Sequence, residues 1–175
     1  MTNHTLNTKG FTLVELLIVI TVIGILAGLV LNTFGNVKED TLLARAETEF
    51  KTMDTALKQY LVRNESYPPD VIRNLPPGIE EFLTPSDIDR WPDGPWEGSV
   101  YDYDSFIAEG IDTVQISIRF CNIGDPDSCN FPRTQWAENF DVNSSVYFCL
   151  TGSCRAHPSQ PIDHPGYCVN CFEEE

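Results

Sequence analysis

Positive charge is scarce in this sequence. Eleven Lys and Arg stand against 26 Asp and Glu, a net charge of −15. No lysine follows Lys58, and beyond Arg90 only Arg119, Arg133 and Arg155 remain. Binding a phosphate backbone needs clustered Lys and Arg, so the composition argues against nucleic acid and none is expected as a direct partner. Cysteine is missing from everything before Cys121. No nucleophile–base–acid set, no phosphate-cradling glycine loop and no carboxylate pair of catalytic spacing can be read, which sets enzymes aside. There is no internal repeat, and no low-complexity tract beyond Glu173–Glu175.

What the sequence does have is one long apolar run. Phe11 to Leu31 (FTLVELLIVITVIGILAGLVL) is interrupted only by Thr12, Glu15, Thr21, Gly24 and Gly28. As a helix it spans about 30 Å, the thickness of a bilayer core. It is too long for the apolar core of a secretory signal, and no A-x-A-like cleavage site closes it. Glu15 is the anomaly, since a charge inside such a run costs about 2.5–3.5 kcal/mol on insertion scales and calls for a partner. Gly24 and Gly28 form a small-xxx-small pair, which reads either as a close helix–helix approach or as the glycine content usual in membrane helices.

The helical pattern continues past the apolar run. Leu42, Leu43, Ala46, Phe50, Met53, Leu57, Tyr60 and Leu61 recur at spacings of three and four, one stripe of an amphipathic helix. Glu47, Glu49, Lys51 and Lys58 fall between them as a solvated face. Asn64 and the Pro68-Pro69 pair end the pattern. The spacing therefore predicts one helix of about 50 residues, with Asn32, Gly35 and Asn36 weakening it midway.

Beyond Tyr67 the chain is rich in Pro, Gly and Asp, with one helical turn predicted near Glu80 to Leu83. Strands are predicted at Val100–Tyr103, Thr113–Cys121 and Ser145–Leu150. The segments IGDPDS and LTGS carry the turn residues of hairpins between short antiparallel strands. A small sheet laid on the amphipathic stripe would bury it.

The residues Lys9-Gly10-Phe11-Thr12-Leu13-Val14-Glu15-Leu16 resemble the class III signal of type IV prepilins and type II secretion pseudopilins. The resemblance implies an α+β, type IV pilin fold: a long N-terminal helix packed on a small antiparallel sheet, with a disulfide-rich, loop-rich C-terminal region. The implied organisation is a leader at 1–10, a transmembrane and filament-core helix at 11–31, its amphipathic continuation at 32–65, and a globular head at 66–175. It implies cleavage by a prepilin peptidase between Gly10 and Phe11, methylation of the new N-terminus, and pairing of Glu15 with the α-ammonium of a neighbouring subunit. The partners implied are copies of the chain and related pilins in a homo-oligomeric filament, the peptidase, and an assembly platform. The precursor would sit in the cytoplasmic membrane as a single-pass protein, and the mature chain in a filament at the cell surface. Many type IV pilins carry Pro where this chain has Asn32. DRWPDGPWEGSVYDYDSF faintly resembles the Trp-Gly-x-Pro-Tyr loop of major pseudopilins, in a different order and spacing.

Cys121, Cys129, Cys149, Cys154, Cys168 and Cys171, an even number outside the membrane part, point to disulfides, with Cys121 and Cys129 flanking a turn as a local bridge. Cys149, Cys154, Cys168 and Cys171 also permit a four-thiolate zinc site or a redox-active CVNC. That tail supports a second reading, a membrane-anchored extracytoplasmic binding or redox domain. Calcium at Asp125 and Asp127, or at Asp87, Asp89 and Asp93, is a further expectation for these acidic loops. His157 and His164 sit in Pro-rich turns.

Overall fold

A computed structural model describes residues 11–83, 91–108, 110–152 and 165–170, with backbone only at 29–36, 108 and 111. The leader with Gly10, Asp87, Asp89, Cys154, Cys171, His157, His164 and the side chain of Asn32 lie outside the described residues. The chain divides into two units, 1–38 and 39–175. The long helix, α1, runs Leu13–Asn64, without a break in its assignment at 32–36.

In the first unit every described side chain, 11 to 28 and 37 to 38, is exposed. The run is apolar on all sides, with Leu13 82% and Leu16 56% accessible, so it has no inward face of its own. The Thr21 hydroxyl is satisfied internally, donating to Leu17 O at 2.7 Å. Nothing lies within 4 Å of a Cβ built on Gly24 or Gly28. Among the described residues no helix is long and apolar enough to cross a membrane. The run predicted to span extends to Leu31, past the last residue of this stretch with a described side chain.

The second unit is built on the later turns of α1. Ala46, Phe50, Met53 and Leu57 of the predicted stripe are buried there, together with Ala56, which the stripe did not include. The helix ends at Asn64, where Glu65 takes a left-handed φ of 60° and donates its N–H to Leu61 O at 2.8 Å. The predicted turn near Glu80 is a 3-10 turn, Glu80–Phe82. Four strands follow: β1 (Val100–Ala108), β2 (Ile111–Arg119), β3 (Ser145–Thr151) and β4 (Gly166–Cys168), in the order β1-β2-β3-β4. The first three are antiparallel, as expected; β4 joins β3 in parallel, pairing Ser145 with Gly166 and Tyr147 with Cys168. β1 also runs five residues past its predicted end.

Strand alternation gives the sheet two faces. Tyr101, Tyr103, Ile116, Ile118, Val146 and Phe148 belong to the core that α1 completes. Phe50 stacks on Phe148 at 5.4 Å and meets Tyr101 edge-on at 5.6 Å. Each such pair adds about 0.5–1.5 kcal/mol beyond the area it buries. A second aromatic group, in which Trp96 and Trp136 flank Phe120 and Phe140, ties the loops to the sheet, and Tyr167 of β4 packs on Trp136 at 4.8 Å. Gly94 is required by close approach, since a Cβ there would meet Ser99 Oγ at 2.1 Å.

The predicted hairpin turns are used otherwise. The tight connection is the one from β1 to β2, with Gly110 at φ 81°. IGDPDS forms a loop between Cys121 and Cys129, closed by their disulfide and by a 3-10 turn at Pro126–Ser128. LTGS cannot be a hairpin turn to β4, because a parallel neighbour requires a longer crossover.

Candidate assembly site and the buried charges of the C-terminal unit

Thr12 and Glu15 stand three residues apart at the start of α1 and form a capping box. The Thr12 N–H and hydroxyl both donate to Glu15 Oε2, at 2.8 and 2.6 Å. The Glu15 N–H donates back to Thr12 Oγ1 at 3.3 Å. Two backbone donors that a helix start leaves unmet are thereby satisfied, and the negative charge sits at the positive end of the helix dipole. All of the carboxylate's bonds fall on one oxygen. Among the described residues Oε1 has no partner, so half of the group is free for an outside donor. Phe11, one residue upstream of Thr12, is 78% exposed.

The C-terminal unit hides a different set of charges. On the sheet face away from α1, Asp102 and Asp104 of β1 lie beside Gln115, Ser117 and Arg119 of β2, all at most 9% exposed. Arg119 Nε donates to Asp102 Oδ2 at 3.1 Å, and its Nη2 lies 3.5 Å from Asp104 Oδ2. Gln115 Nε2 donates to the same Asp104 oxygen at 3.0 Å. Burial works against the charged form of Arg119, but Asp104, Tyr147 and Asp102 more than offset it, and its pKa is raised. Burial, and then the charge of Asp102, push Asp104 up to about 6. On the core side, burial and a hydrogen bond to Glu49 raise the Tyr101 phenol. Glu49 thus belongs to the packing of α1 against β1, not to a solvated face.

Asp104 has a measurable consequence. Between its ordinary value near 4 and its folded value near 6, the folded chain holds a proton that the unfolded chain has released. Stability from this group therefore falls as pH rises through that window and is flat above it. Asp104→Asn should flatten the pH dependence between pH 4 and 6 by an amount on the order of 2–3 kcal/mol. Urea titrations of detergent-solubilised chain, followed by tryptophan fluorescence, measure this; unchanged slopes would refute it.

The remaining predicted site residues are dispersed. Cys121 and Cys129 are bonded to each other. Cys149 and Cys168 are each disulfide-bonded, so neither is available as a zinc thiolate. Asp125 Oδ1 accepts from Asp127 N–H at 3.2 Å, capping its own turn. Among the described residues no three His, Cys, Asp or Glu could together hold a metal ion. The Thr12 partnership is readable from the T-x-x-E spacing and is additional to the intermolecular pairing expected of Glu15.

The profile of the prokaryotic N-terminal methylation motif matches residues 6–31. The chain is similar to the type II secretion system core protein G of Aeromonas hydrophila, 36% identical over 97 residues, covering 50% of this chain and 67% of the relative. The protein of the same name from Escherichia coli K12 is 34% identical over 97 residues, 50% of this chain and 66% of the relative. That of Vibrio cholerae serotype O1 is 33% identical over 102 residues, 54% and 68%. No solved structure gives a significant match.

Proposed function

Because this chain belongs to the family of type IV pilins and type II secretion pseudopilins, we propose that it is a non-enzymatic structural subunit of a pseudopilus-type filament. The observation that carries this reading is the first turn of α1. A helix apolar on every side must be covered by lipid or by other helices, and its one carboxylate keeps Oε1 open toward a neighbour. Removal of residues 1–10 by a prepilin peptidase creates the missing cation, an α-ammonium on Phe11. Glu15 of one subunit then meets that ammonium on the next, a pairing that offsets desolvation only when both partners are present and that fixes the register between helices.

Before cleavage the apolar run, with Leu29 to Leu31, serves as a single membrane anchor in the cytoplasmic membrane. After assembly through a platform protein it becomes filament core. The name shared by the relatives favours a secretion pseudopilus over a surface pilus. The acidic C-terminal unit faces water, stapled by its disulfides. The expected mature chain begins at Phe11 and carries one methyl group on its nitrogen. Mass spectrometry of the purified protein from peptidase-positive cells reads this directly, and an intact leader there would overturn the processing step.

A further inference from the structure

We draw no further inference here: the strongest candidate, the exposed face of α1 on which Thr48, Thr52 and Thr55 each turn the hydroxyl back to a carbonyl of the same helix, carries nothing because nothing in the structure shows what covers it.

Discussion

Glu15→Gln is expected to stop filament assembly almost as completely as Glu15→Ala, lowering yield more than about a hundredfold. An ammonium left buried without its partner costs about 3–5 kcal/mol, and each 1.4 kcal/mol is about a factor of ten. The Gln variant separates two roles that Ala confounds. Glutamine still closes a capping box with Thr12, so the helix start survives while the charge is lost. Thr12→Val does the reverse: it removes the hydroxyl bond and keeps the carboxylate, at a cost of about 1 kcal/mol to the helix. Its assembly yield should therefore fall less than about tenfold. Sheared filaments quantified by immunoblot and electron microscopy give both numbers. If the Gln variant assembles like the unsubstituted chain, the carboxylate serves the helix and not the neighbour.

The second large effect concerns the sheet face that α1 does not cover. Arg119→Met should destabilise the C-terminal unit by about 3–5 kcal/mol, because Asp102 and Asp104 are then buried charges without their cation. The loss should be strongly pH-dependent, shrinking in acid as Asp104 takes up its proton. Combining Arg119→Met with Asp102→Asn and Asp104→Asn should restore most of the stability. The Arg119 cluster then holds no charge to be left unpaired, and the amide oxygen introduced by Asp102→Asn still accepts from the Arg73 N–H. Chemical denaturation of the single and triple variants decides the matter. A triple variant no better than the single would mean that Arg119 acts through packing and not through charge.

The long helix was legible because its evidence is local and repeated: Ala46, Phe50, Met53 and Leu57 recur at helical spacing whatever the rest of the chain does. β2 was legible for the same reason, since Val114, Ile116 and Ile118 alternate. The second half of β1 was not. Asp104 and Ser105 read as loop residues because Asp is depleted in strands, yet Asp104 is tolerated there by Arg119 and Gln115, which arrive from another strand. β4 escaped because Gly166–Cys168 is three residues long, sits in a Pro-rich tail, and owes its strand character to pairing with β3. Arg73 carried no signal, as a left-handed backbone at a non-glycine is imposed by a tertiary contact. Glu15 stood out at once as a charge in an apolar run. Its capping partner Thr12, three residues upstream, was less conspicuous because a threonine in an apolar run draws no attention by charge.

The stacking of Phe50 on Phe148 has a consequence in time. The two rings are 98 positions apart, from 148 − 50. Chain elongation proceeds at about 5–20 residues per second, so the stripe of α1 waits roughly 5–20 s for the strand that covers it. Contacts this distant in sequence also form slowly. For that interval the nascent chain presents two uncovered apolar surfaces in series, the run from Leu13 and the stripe from Ala46, and only the second will be closed by the chain itself. An early engagement of the first by lipid would leave the second to find its sheet undisturbed.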